Sequence, residues 1–238
     1  MQDNAGLWRR NIGADSDAIA AFQPSRRQLV VGMALALAGV MVARPVLANR
    51  PGKLVAFGDS LSAGFGVAPQ DAFPVKLEKA LRAKGRNVSI SNAGVSGDTA
   101  SGGADRVDWS VPDGTDGVIL ELGANDMLRG VDPKTTRAAL ARILDRLEAR
   151  KIPVMLAGMR AAPNLGPDYG RAFEKIYADF ASERGLTLYP FFLDGVAGDR
   201  SLNQGDGIHP NPKGVDVIVA GMLPTVEAFL DKIAAGRS

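Results

Sequence analysis

From Lys53 onward the chain alternates short apolar runs with longer stretches in which apolar side chains recur every three or four positions. The runs are KLVAF from Lys53, VSI from Val88, GVILEL from Gly117, IPVMLAG from Ile152 and LTLYP from Leu186. Their length and bounding turn residues predict strands. Between them, PVKLEKALRAKG puts Val75, Leu77, Ala80 and Leu81 largely to one side and stops at Gly85, as a helix does. DPKTTRAALARILDRLEARK starts at Asp132 with Pro133 in its first turn, then carries Leu140, Ile143, Leu144 and Leu147 at helical spacing. YGRAFEKIYADFASERG and the final PKGVDVIVAGMLPTVEAFLDKIAAG behave alike, and Pro224 inside the last predicts a kink or a break.

Repeated strand–helix alternation means parallel strands with helices on both faces, because each right-handed crossover lays a helix on the sheet. The expected fold is therefore α/β: a three-layer α/β/α sandwich around a parallel sheet of about five strands. In such sheets the ligand crevice lies at the carboxyl ends of the strands.

The first 48 residues follow another pattern. SRRQLVVGMALALAGVMVARPVLANR has paired arginines, Arg26 and Arg27, a mild apolar run from Leu29 to Val42, and a small-residue boundary at Ala48. The run is shorter than the ~20 residues a membrane span needs. Residues 1–48 are read as a cleaved export signal resembling the twin-arginine type, with ordinary secretion and an uncleaved anchor as the other readings. The expected destination is the periplasm or the medium. This reading changes the charge balance. Five of the 28 basic and three of the 26 acidic side chains lie in residues 1–48, so 23 of each remain and the rest of the chain is formally neutral. Nothing in that balance calls for nucleic acid as a partner.

The chain has no cysteine and one histidine, His209. Thiol nucleophiles, disulfides, thiolate metal sites and multi-histidine metal centres are excluded, and any imidazole chemistry passes through His209. No metal or organic cofactor is expected.

The chemically capable residues follow the strands. Gly58-Asp59-Ser60-Leu61 follows the first, SNAGVSGDT with Asn92, Gly94 and Gly97 the second, and LGANDMLRG with Asn125 and Asp126 the third. QGDGIHPNPKG brings Asp206 and His209 onto one loop before the last helix. A serine hydroxyl needs a neighbouring base, which histidine supplies near neutral pH. A carboxylate at the other ring nitrogen holds the tautomer, and Asp206, three residues away across Gly207, is placed for it. Asp194 and Asp199 are the substitutes. Backbone N–H groups at Ser60 and Gly94 and the amide of Asn125 would stabilise an oxyanion. Plainer roles stand beside these: Ser60 or Asp59 as a helix cap, Gly94 as a tight turn, Asn125 as a turn cap, Asp98 and Asp126 as supports. The loop MRAAPNLGPDYG, residues 159–170, is irregular and small-to-apolar, and reads as a substrate wall or an inert surface loop. Leu61, Ala161, Pro163 and Leu165 are the expected substrate contacts.

GDSLSAG, NAGVSGDT, LGANDMLRG and DGIHPN resemble, in order, the four signature blocks of the SGNH (GDSL) hydrolases. The resemblance covers the chain from Lys53 on and is greatest to the bacterial secreted arylesterases and thioesterase/lysophospholipases. It implies a flavodoxin-like hydrolase domain over 49–238, with Ser60 as nucleophile, His209 as base, Asp206 as its orienter, and Gly94 and Asn125 as oxyanion donors. Ala124 departs from the family pattern, where glycine often precedes the asparagine. The implied activity is cleavage of carboxylic esters, extending to acyl thioesters and lysophospholipids. A carbohydrate acetylesterase on the same fold is the nearest alternative. A non-catalytic phosphate or flavin binder is another, although the chain lacks GxxxxGK[ST] and GxGxxG motifs.

Overall fold

The computed structural model describes residues 52–236; the expected export signal lies outside them. Five parallel strands, β1 (Gly52–Gly58), β2 (Val88–Gly94), β3 (Gly117–Glu121), β4 (Val154–Ala157) and β5 (Thr187–Tyr189), form one sheet in the order β2-β1-β3-β4-β5. β3 is buried at all five positions, as a central parallel strand covered on both faces must be. β2 runs beyond the VSI run to Gly94 because Ser91–Gly94 pair with Val55–Gly58 of β1.

The connecting helices are α1 (Ser60–Ala63), α2 (Phe73–Ala83), α3 (Ala100–Ser110), α4 (Ala124–Leu128), α5 (Pro133–Ala149), α6 (Pro167–Arg184) and α7 (Pro212–Ala235). α2 packs with α7, and α3 and α6 pack against α5, giving the two outer layers. In α5 the predicted stripe of Leu140, Ile143, Leu144 and Leu147 is buried. Each such side chain contributes about 1.5–3 kcal/mol relative to exposure.

Two elements differ from the sequence pattern. α7 continues through Pro224 as one helix instead of breaking. Val219 and Met222 before the proline and Val226 and Phe229 after it are all buried, so packing on both sides offsets the ~3 kcal/mol that an interior proline costs. α3 has no clear apolar stripe and carries Gly102 and Gly103. It forms because Thr99 Oγ1 accepts the Gly102 N–H at 3.2 Å and Asp126 Oδ2 accepts the Ala100 N–H at 2.8 Å. Close packing then needs the glycine, since a Cβ on Gly103 would overlap Leu122.

β1 is the topological switch point, with β2 on one side and β3 on the other. Loops leaving these strands diverge there and open a crevice at their carboxyl ends.

Candidate active site

β1 ends at Gly58, and the environment explains the glycine. A side chain there would overlap Ser62 Oγ and Glu121 Oε2. Asp59 caps the short helix α1 by accepting the Leu61 N–H at 3.0 Å. Ser60 therefore occupies the first helical position, largely buried, and its own N–H has no acceptor among the described residues.

The Ser60 Oγ lies 2.9 Å from His209 Nε2, and His209 Nδ1 lies 2.6 Å from Asp206 Oδ2. The other carboxylate oxygen of Asp206 accepts the N–H groups of Ile208 at 2.9 Å and His209 at 3.0 Å. These backbone bonds, then the imidazole, hold the Asp206 pKa down to about 2. Asp206, and neither Asp194 nor Asp199, reaches the ring. Asp199 instead closes a turn on Ser201.

Two residues outside the sequence expectation fix the histidine loop. Gln204 Nε2 donates to Phe65 O at 2.7 Å and Pro210 O at 3.0 Å, tying the segment after α1 to the loop carrying His209. The Phe65 ring lies against the imidazole, with centroids 4.6 Å apart. Half-exposed Phe65 looks in the sequence like any surface aromatic. Its neighbour is 144 residues away in the chain, so no local signal marks it.

Asn125, in the first turn of α4, donates from Nδ2 to Asp59 Oδ2 at 3.0 Å and to Asp98 O at 2.9 Å. Ala124 takes the first position of that helix and lines the crevice beside it. The expectation for Gly94 needs correction. Its N–H is committed to Asn92 Oδ1 at 2.9 Å, and a Cβ there would overlap the backbone of Ala63 and Asp59. Gly94 thus permits β2 to approach α1 closely and has no spare donor. In the following loop, Gly97 has φ +83° and an N–H without an acceptor among the described residues. That loop lies beside the exit of β1, because Val95 N donates to Gly58 O at 3.0 Å and Asp98 O holds Asn125.

Beneath the serine lie two buried carboxyl groups. Burial raises Asp59 to about 6, against hydrogen bonds from Leu61 and Asn125. Burial, then repulsion from Asp59, pushes Glu121 well above the usual carboxylate range. Glu121 Oε2 accepts from Ser62 Oγ at 2.8 Å and Asp59 N at 3.3 Å, while its Oε1 has no partner among the described residues. Arg106 ties the neighbouring strand ends together. It donates to Gly58 O and Ala93 O, both at 2.8 Å, pairs with Asp98 at 2.7 Å and lies over the Phe57 ring. Asp98 and Asp126 are both spent on such internal bonds.

A cleft of about 330 Å³ opens from Ser60, Asn125 and His209. Leu61, Ala161 and Pro163 line it as expected, joined by Met127, Met159 and Phe191. Leu165 does not line the cleft. It ends the 3₁₀ turn Pro163–Leu165 and packs half-buried against the core. Among the described residues no three His, Asp or Glu side chains gather as metal ligands.

The model of the GDSL-like lipase/acylhydrolase family matches residues 56–217, from the end of β1 into α7. The chain belongs to that family. Among GDSL-like relatives, esterase TesA of Pseudomonas aeruginosa is 35% identical over 178 residues, covering 74% of this chain and 89% of the relative. Thioesterase 1/protease 1/lysophospholipase L1 of Escherichia coli K12 is 37% identical over 159 residues, covering 66% of this chain and 75% of the relative. The crystal structure of AlinE4, an SGNH-hydrolase family esterase, superposes with a TM-score of 0.64 at 44% identity, covering 76% of this chain and 97% of that one.

Proposed function

We propose that this GDSL-like protein is a serine hydrolase of carboxylic esters working through an acyl-serine intermediate. The observation that carries the reading is the unbroken line Ser60 Oγ–His209 Nε2, His209 Nδ1–Asp206 Oδ2 at 2.9 and 2.6 Å, opening onto an apolar cleft. Ser60 Oγ attacks the ester carbonyl while His209 Nε2 takes its proton. Asp206 stays ionised, fixes the tautomer with the proton on Nδ1 and stabilises the imidazolium. His209 then gives its proton to the leaving alcohol. Water attacks the acyl-serine, again losing its proton to His209, which returns it to Ser60 as the acid departs.

The oxyanion is met by N–H donors. Ser60 N–H is free and lies at the start of α1, and we assign the second backbone donor to Gly97 in place of Gly94. Asn125 is the side-chain donor, turning one of its two N–H bonds from Asp59 or Asp98 toward the developing charge.

The cleft sits at the small end of ligand pockets, which favours aryl and short- to medium-chain acyl esters. Its apolar walls favour acyl groups over a sugar. The names of the relatives extend the proposal to acyl thioesters and lysophospholipids. We further propose export, with cleavage after Ala48. N-terminal sequencing of the secreted protein tests it, and a start away from Asn49 refutes it.

The decisive experiment pairs a fluorophosphonate probe with hydrolysis of p-nitrophenyl butyrate. Labelling that maps to Ser60 and is lost with activity in Ser60→Ala is the expected result. An unlabelled, inactive wild type would return the chain to the class of binding proteins.

A further inference from the structure

Twelve arginines lie among the described residues, and nine of them pair with a carboxylate. The three without one are Arg129, Arg160 and Arg200, and of these Arg160 lines the cleft. Neither Arg129 nor Arg200 is among its lining residues. Arg129 is spent in part on Gly97 O at 2.7 Å. Arg160 has no hydrogen-bond or ionic partner among the described residues. Its guanidinium lies over the Phe191 ring, 4.9 Å from the centroid.

Stacking on an aromatic ring holds a guanidinium by its face and leaves its N–H edge free for an anion. Among the described residues no Asp or Glu lines the cleft, and Arg160 is the only fixed formal charge on its wall. Asp206, the nearest acid in the site, points at the far nitrogen of His209 and is held by two backbone N–H groups as well. A surface that pairs nine of its twelve described arginines leaves this one unpaired, facing the same small space as the serine. An anion only a few bonds from a bound ester carbonyl falls within its reach.

We propose that Arg160 makes the cleft selective for esters carrying an anionic group, carboxylate or phosphate, close to the scissile carbonyl. The inference rests on the ester-hydrolase reading and adds a substrate class to it. The anion can belong to the acyl group or to the leaving group, and two substrate pairs separate these sources. Mono-(4-nitrophenyl) glutarate against 4-nitrophenyl butyrate tests the acyl side; 1-butyrylglycerol 3-phosphate against 1-butyrylglycerol tests the leaving-group side.

The measured quantity is the ratio of kcat/KM, anionic over neutral, within each pair. In at least one pair Arg160→Gln should lower that ratio by about 10-fold, the size of one charge-assisted hydrogen bond at a partly exposed site. Arg160→Lys should retain much of it, and 1 M salt should shrink it in the wild type. Ratios unchanged by Arg160→Gln in both pairs, with its melting temperature intact, overturn the inference while leaving the hydrolase reading standing. Failure of the wild type to cleave any of the four esters overturns both.

Discussion

Replacing Asp206 with asparagine isolates the electrostatic half of the proposed triad. Asp206 Oδ1 accepts two backbone N–H bonds and Oδ2 faces His209 Nδ1 at 2.6 Å. An asparagine can keep its oxygen on the two N–H groups, so the turn through Gly207 survives. Its NH₂ then faces Nδ1, which can only accept from it, and the imidazole proton is driven to Nε2. That proton points at Ser60 Oγ from 2.9 Å, and the base has become a donor. The imidazolium formed during attack also loses a carboxylate whose pKa of about 2 keeps it ionised at every working pH. A wrong tautomer with intact geometry costs on the order of 10⁴ in kcat. Stability should change little near neutral pH, because the Asp206 side chain is more than a third exposed. The folded-state pKa is depressed from 3.8, so the contribution of Asp206 to stability is present above about pH 4 and lost as pH falls toward 2. The assay is kcat on p-nitrophenyl butyrate at pH 7–8, with circular dichroism melts of both proteins. A variant keeping a tenth or more of wild-type kcat refutes the tautomer argument. A variant that is slow only because it is unfolded refutes the claim that the turn survives.

Asn125→Ala should lower kcat by on the order of 10²- to 10³-fold with KM nearly constant, checked by steady-state kinetics. Burial raises the folded-state pKa of Asp59 from 3.8 to about 6, so this group makes stability fall as pH rises across that window. Melts from pH 4 to 7 should lose that fall in Asp59→Asn. Glu121→Gln should fold and melt within a few degrees of wild type at pH 7, because burial raises the Glu121 pKa and favours the neutral form that the amide imitates. Large destabilisation by chemical denaturation would show that the carboxylate is ionised. Phe65→Ala should lower kcat several-fold by loosening His209 and restore it in Phe65→Tyr; equal melts with unequal kcat distinguish positioning from folding.

The sheet, α5 and the juxtaposition of Ser60, His209 and Asp206 were legible because their signals are local or chemically scarce. β3 is a continuous apolar run, α5 repeats Leu and Ile at helical spacing, and one histidine leaves one candidate base. α3 was not legible, since its N-terminus is held by Asp126, 26 positions away, and its Gly103 answers to Leu122, just past β3. Leu165 failed for a similar reason: loop composition says that a wall is apolar without saying which side chains turn inward. Gly94 and Gly97 stand three apart in one loop, and sequence cannot tell which N–H is already spent. Asn92 decides that, by folding its carbonyl oxygen back onto Gly94.

Arg106 and the buried acids beneath the serine order its surroundings from two sides. Asp59 and Glu121 lie under α1 with few donors between them, and Glu121 Oε1 has none, an arrangement that costs stability. They are not decorations of the fold, because removing bulk at Gly58 is what lets Glu121 reach Ser62 and Asp59. Asp59 in turn holds Asn125, so the buried acid sets the direction of the proposed oxyanion donor. The opposite charge sits one layer away. Arg106 bonds the last carbonyl of β1 and the near-terminal carbonyl of β2, and engages Asp98, whose backbone oxygen holds Asn125 from the other side. One buried guanidinium thereby fixes both strand ends that frame the switch point, while the Asp59 carboxyl and the Asp98 carbonyl aim the amide between them. The polar groups that stabilise the crevice least are the ones that orient its chemistry most.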